Sequence, residues 1–357
     1  MLLYRAGPRA LARLRRDGLR PQDVRVLVGP ASGPKWLIFP GIDRVLMEKG
    51  FGVPRNGEGH RLLVGSSAGA WRMLAFAARR PVEAHERLVD GYVSQTFPMP
   101  VRAKDVTPAF RRMLSEVFSD DDLAAIASHP NADVAIHVTR VFDPYPWSLR
   151  AAQIAAIAMG IAVHRVWTGA VMHMARRVLA HTRPERFGAA FRGTIVPLTP
   201  AGIRETALAS GTIPVYMQPI RNVPGAPRGT YVDGGLADYH LRQAYTRPGD
   251  GITLLPHYQE AVQSCWFDRA TPAKETSNGA LADVLQMYPS PAWIRSLPGG
   301  KVPDRDDFFV FAKHHGERIR RWNETVTRSE ELGEQLRRDL ESGNFIDRVS
   351  PIAPHAT

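Results

Sequence analysis

Ser67 stands inside Gly65-Ser66-Ser67-Ala68-Gly69, a Gly-x-Ser-x-Gly run between an apolar stretch, Leu62 to Val64, and an alanine-rich stretch, Ala70 to Ala78. Strand, sharp turn and helix in that order are what a nucleophilic serine needs. The turn exposes the hydroxyl, and the helix behind it offers free N–H groups and the positive end of a dipole. Gly65 and Gly69 leave room where a Cβ would collide with backbone. A serine hydroxyl is a weak nucleophile at neutral pH and requires a base. Asp233, within Tyr231-Val232-Asp233-Gly234-Gly235, is placed at a predicted strand end, where Gly234 and Gly235 permit a tight turn and a close loop approach. The same residues also fit an ordinary Asp-Gly turn.

Other chemistries are less well served. His240, His257, His314 and His315, downstream of Asp233, leave a Ser-Asp-His triad open in that chain order. No His-x-x-x-His spacing falls on a plausible site helix and Cys265 has no second cysteine, so the expectation is no metal and no organic cofactor. Gly29 and Gly33 are too close together for a P-loop, and Pro34 and Trp36 flank Lys35.

Composition bounds the class. The chain has 357 residues, 44% hydrophobic and 23% charged, which is ordinary for a globular protein. Its net charge of +11 rests on 46 basic residues of which only six are lysine. That arginine bias, with no aromatic-interleaved basic stretch, argues against nucleic acid as partner and leaves peripheral contact with an anionic membrane surface open. Cys265, the single cysteine, excludes an internal disulfide and fits a reducing compartment. Arginines at 5, 9, 13, 15, 16 and 20 interrupt any secretory signal, and no apolar stretch is long enough to span a bilayer, so the expected location is cytoplasmic. Oligomeric state leaves no trace in the sequence.

The elements needed to position these residues recur in strand-loop-helix order. Val24 to Val28 reads as a buried strand and Leu37 to Lys49 as a helix stopped by Gly50; Leu62 to Val64 and the helix after Ser67 repeat the unit. This predicts an α/β fold with a mainly parallel sheet. Val82 to Phe97 and Asp105 to Ser128 read as helical, and Asp133 to Val141, Thr194 to Leu198, Thr230 to Val232 and Ile252 to Leu255 as strands. Residues 148–183 read as an alanine-rich helical insertion, either core-packed or a cap over the site. Residues 300–357 read as a polar helical extension in which Arg318 to Leu340 forms a solvated helix. A single domain over 1–357 is the simplest organisation.

The approach to Asp233 carries a further pattern. Ala207-Leu208-Ala209-Ser210 ends a helix, Gly211-Thr212-Ile213-Pro214 makes a loop, and Val215-Tyr216-Met217 makes an aromatic strand before Asp233-Gly234-Gly235. Upstream, Gly41-Ile42-Asp43-Arg44-Val45-Leu46-Met47-Glu48-Lys49-Gly50 follows a loop, Ala31-Ser32-Gly33-Pro34-Lys35-Trp36. Together with the Ser67 motif, residues 22 to 240 resemble the patatin-like acyl hydrolases. The resemblance implies a three-layer α/β/α sandwich, hydrolysis of lipid acyl esters without metal or cofactor, and a dyad in which Ser67 is nucleophile and Asp233 base. It places the oxyanion hole on the amides of Ser32, Gly33 and Ala68. Only Gly33 and Lys35 keep the family's glycine-rich, basic loop, and Asp238-Tyr239-His240 replaces its usual continuation. That divergence leaves a catalytically degenerate relative, binding lipid or a protein partner, as the alternative.

Overall fold

A computed structural model of the chain describes residues 1–54, 59–143, 145–167, 174–189, 191–269 and 279–352. Among them eleven strands join one sheet: β1 (Leu2–Ala6), β2 (Val24–Gly29), β3 (Arg61–Ser66), β4 (Ala132–Val141), β5 (Ala175–His181), β6 (Thr194–Pro197), β7 (Ile220–Arg221), β8 (Thr230–Val232), β9 (Ile252–Pro256), β10 (Val284–Pro289) and β11 (Val349–Pro351). Their order is β11-β1-β10-β9-β2-β3-β4-β5-β6, with the β7–β8 hairpin attached to β4.

The five strands β10, β9, β2, β3 and β4 run parallel. Parallel neighbours need crossovers, which helices supply. The helices that follow the chain from the N-terminus are α1 (Pro8–Asp17), α2 (Pro40–Glu48), α3 (Ala68–Ala77), α4 (Pro81–Val93), α5 (Ala103–Val117), α6 (Asp120–Ser128) and α7 (Arg150–Val166). α2 joins β2 to β3, and α3 to α6 lie between β3 and β4. Leu63, Val134, Ile136 and Val138 face the large core shared with these helices, while Val28, Val64 and Ala135 face a second core completed by Leu241, Tyr245 and Val262. The result is the α/β sandwich with a mainly parallel central sheet that the element order predicts.

Register brings the two motifs together. β3 pairs with β4 up to Ser66 opposite His137, running parallel. β8 runs antiparallel to β4 and ends with Val232 opposite Thr139. The two strands therefore end within two residues of one another along β4, and Ser67 and Asp233 leave the sheet at one place. Close approach of α3 to β2 completes the arrangement: a Cβ on Gly69 would lie 2.0 Å from the Gly29 carbonyl oxygen, so only glycine lets the helix start there.

Three expectations are corrected. The helical reading of 148–183 holds for α7 but not for Ala175–His181, which forms β5; residues 168–173 lie outside the described residues. Alanine and arginine carry helix propensity, yet seven register pairs with β4 win over it. The strand expected at Val215 to Met217 is a turn in which Val215 has φ 74. The helix His315–Glu341 has the charged face expected of it, with Arg321 donating to Glu317 at 2.6 Å. Its other face buries Trp322, Leu332 and Leu336 in the main core, and β11 beyond it joins the sheet, so residues 315–351 are built into the body of the fold.

Candidate active site

β3 ends at Ser66 and α3 begins at Ala68, so Ser67 alone turns the chain, at φ 56 and ψ −136. A non-glycine residue held there stores about 1–3 kcal/mol of strain and persists only where its surroundings over-determine it. The restraint is visible. Ser67 N–H donates to Ser210 Oγ at 2.8 Å, and the Ser210 hydroxyl donates to the His137 carbonyl at 2.7 Å. Ser210 is the last residue of the helix Ile203–Ser210 and is fully buried. Its sequence marks a helix end; its grip on the Ser67 turn, 143 positions away, is tertiary and has no local signal.

The Asp233 carboxylate accepts the Gly235 N–H at 2.7 Å and shares one cleft with Ser67, while its own N–H donates to the Thr212 carbonyl at 2.8 Å. Burial pushes its pKa up from the ordinary 3.8 to about 6, against the opposing pull of the nearby Ser67 hydroxyl, the Gly235 amide and the positive charge of Arg305. The turn behind it is braced twice. His137 Nδ1 and the Thr139 hydroxyl both donate to the Gly234 carbonyl, at 3.1 and 3.2 Å. Nothing larger than Gly234 fits, because a Cβ would lie 2.2 Å from the His137 carbonyl oxygen.

The loop expected to stabilise an oxyanion follows β2. Ala31 N–H is used, donating to the Tyr239 carbonyl at 3.0 Å, which ties the loop to the segment after Asp233. The amides of Ser32, Gly33 and Ala68 find no acceptor among the described residues. Gly33 and Ala68 are each the first residue of a helical turn, where N–H groups have no intrahelical partner. Gly33 sits at φ 52, which glycine adopts without penalty. Lys35 extends its ammonium over the Tyr258 ring, 4.3 Å from the centroid.

The elements carrying the two halves are locked together below the surface. Arg72 of α3 makes a two-pronged ion pair with Asp43 of α2, at 2.9 and 2.6 Å, and His85 of α4 approaches the same carboxylate at 2.9 Å. Both Asp43 and Arg72 are fully buried. Burial pushes the Asp43 carboxyl upward, but Arg72 and His85 outweigh it and hold it below the usual carboxylate range.

None of the candidate triad histidines is hydrogen-bonded to Asp233 among the described residues. His240 has Nε2 on the Tyr258 hydroxyl at 2.8 Å and Nδ1 on the Gln263 N–H at 2.8 Å. His257 is buried with Nδ1 2.6 Å from the Gln259 carbonyl, and burial lowers its pKa to about 3. His314 and His315 stand at the start of the long C-terminal helix.

Two cavities meet at Ser67 and Gly33. One is a narrow apolar slot of about 60 Å³ walled by Trp71, Tyr92, Phe97, Phe110 and Phe308. The other is a cleft of about 500 Å³ that also holds Ser32, Lys35 and Asp233 and is lined on one side by Ile154, Ile157 and Ile161 of α7. Arg305 borders both, a position no sequence motif announced.

No known family and no curated protein matches the chain. Among solved structures it is similar to human GIVD cytosolic phospholipase A2, at 10% identity over 95% of this chain and 63% of that one, with a TM-score of 0.38. It is also similar to VipD from Legionella pneumophila, at 13% identity over 90% of this chain and 67% of that one, with a TM-score of 0.35. The chain thus spans less than two thirds of the human enzyme's length.

Proposed function

We propose that this protein is a serine acyl hydrolase that cleaves carboxylic ester bonds of lipids through a Ser67–Asp233 dyad. The observation that carries the reading is Ser67, on a strained turn, sharing one cleft with a buried carboxylate whose pKa is raised to about 6. Such a carboxylate is a better base than an exposed aspartate and is still ionised at neutral pH. Asp233 takes the Ser67 proton as Oγ bonds to the carbonyl carbon, and the negative oxygen that forms turns toward the N–H groups of Gly33, Ala68 and Ser32. Collapse breaks the ester C–O bond, and the proton passes from Asp233 to the departing alkoxide. Water then gives a proton to Asp233 and attacks the acyl-serine; the acid leaves and Oγ recovers its proton.

The shape of the site supports an apolar acyl group. The slot walled by aromatic side chains suits the acyl chain, and the wider cleft suits the alcohol portion. On α7, whose Ile154 lines the cleft, and just after it, Ile154, Met159, Val166 and Trp167 are exposed along with Arg150 and Arg165, which favours approach to an anionic lipid surface. No helix of the described residues is long and apolar enough to cross a membrane.

A mixed substrate panel of phospholipids, lysolipids, glycerides and small esters, read by mass spectrometry, tests the proposal. The expected products are a free acid and its matching alcohol from at least one class, absent with Ser67→Ala. Products that persist in Ser67→Ala, or no acyl product from any class, contradict it.

A further inference from the structure

One buried cluster lies outside the site described above. His164 of α7 places Nε2 2.8 Å from Asp268 Oδ1, and Cys265 Sγ lies 3.6 Å from that same oxygen and 3.9 Å from His164 Nε2. All three side chains are buried. About 100 positions of sequence separate the histidine from the other two, so spacing conceals the group; the crossing of α7 over the segment Trp266–Arg269 assembles it. Gly160 permits that crossing, since a Cβ there would lie 2.6 Å from the Phe267 ring, and His164 follows one helical turn later on the same face.

We propose that His164, Cys265 and Asp268 bind one divalent transition-metal ion of the zinc class. Three arguments support this, independently of the hydrolase reading. A triangle with edges of 2.8, 3.6 and 3.9 Å has a common centre about 2 Å from each corner, close to zinc's bond lengths to nitrogen and oxygen and slightly short for sulfur. The charges balance: one thiolate and one carboxylate neutralise a dication, with a neutral imidazole as third ligand, in surroundings made apolar by Val141, Ala156 and Phe267. The carboxylate is also pre-oriented, because Asp268 Oδ2 accepts N–H groups from Ser264 and Cys265 at 2.7 and 3.0 Å and leaves Oδ1 aimed at the cluster. On binding, the thiol proton leaves to solvent as the metal–sulfur bond forms, so affinity falls as pH falls.

Occupancy has a structural consequence. α7 and Trp266 line the same cleft that holds Ser67 and Asp233, and a metal bridging them fixes one wall of its mouth.

Tag-free full-length protein, treated with chelator and titrated with Co²⁺, reads the site directly. Cys265 is the chain's single cysteine, so a thiolate-to-cobalt charge-transfer band is assignable to it alone. The expected result is one equivalent of Co²⁺ with that band and tetrahedral visible absorption, displaced by Zn²⁺. Cys265→Ser should abolish the charge-transfer band. His164→Gln and Asp268→Asn should each weaken binding at least about 10-fold, the smaller of the losses seen when even an outer-sphere partner is removed. Circular dichroism identifies any variant that fails to fold, and the parent titration decides the question without the variants. A parent protein that shows no thiolate band at stoichiometric Co²⁺ overturns the proposal: the cluster is then a hydrogen-bonded staple only. Binding unchanged in His164→Gln overturns it equally.

Discussion

Asp233→Asn should lower kcat by about 10²–10⁴, the range that a positioned general base contributes, and should at the same time make the protein more stable at pH 8. An amide cannot take the Ser67 proton, although its oxygen still accepts the Gly235 N–H. Activity of the parent should rise with pH through about 6, as Asp233 loses its proton, and the variant should lack that limb. The stability effect follows from the same burial. Folded Asp233 keeps its proton up to about pH 6, whereas the unfolded chain releases it near the ordinary 3.8, so ionisation works against folding. Its contribution to stability is fully present below pH 3.8 and is lost as pH rises through 6, on the order of 3 kcal/mol by pH 8. Melting curves and pH–rate profiles of parent and variant check both halves. Retained activity together with unchanged stability contradicts the assignment.

Asp43→Ala should destabilise the fold by about 3–5 kcal/mol, because it strands Arg72 as a buried charge without its carboxylate. Asp43→Asn, which keeps an oxygen for the guanidinium, should cost less. Neither residue touches the reacting atoms. Arg72 lies on the helix that starts after Ser67, and Asp43 on the helix that follows the Ser32–Gly33 loop, so the pair holds the proposed nucleophile and the proposed oxyanion donors in one frame. Urea unfolding of the two variants measures the loss, and a change below about 1 kcal/mol for Asp43→Ala would show the pair to be dispensable.

The parts of the site that could be read from sequence are those built by adjacent residues. Gly65 to Gly69 between an apolar run and an alanine-rich run specified strand, turn and helix, and the glycines after Val232 specified the second turn. That both turns meet depends on β3 and β8 abutting along β4, a pairing that no local pattern carries. The same holds for Ser210 gripping Ser67, for Arg305 between the two cavities, and for His164 reaching Cys265 and Asp268. β5 was hidden for another reason: its alanines and arginines favour helix, and only pairing with β4 makes the segment a strand. The buried half of His315–Glu341 was hidden by its charge, which dominates the sequence while Trp322, Leu332 and Leu336 supply the packing.

The central claim is that Ser67 is an activated nucleophile. Incubation with a fluorophosphonate, which phosphonylates a serine only where a base and oxyanion donors act together, tests it most directly. The expected result is one covalent adduct per chain, mapped to Ser67 by peptide mass spectrometry, absent in Ser67→Ala and strongly slowed in Asp233→Asn. A folded protein that never labels, or that labels equally well without Ser67, contradicts it.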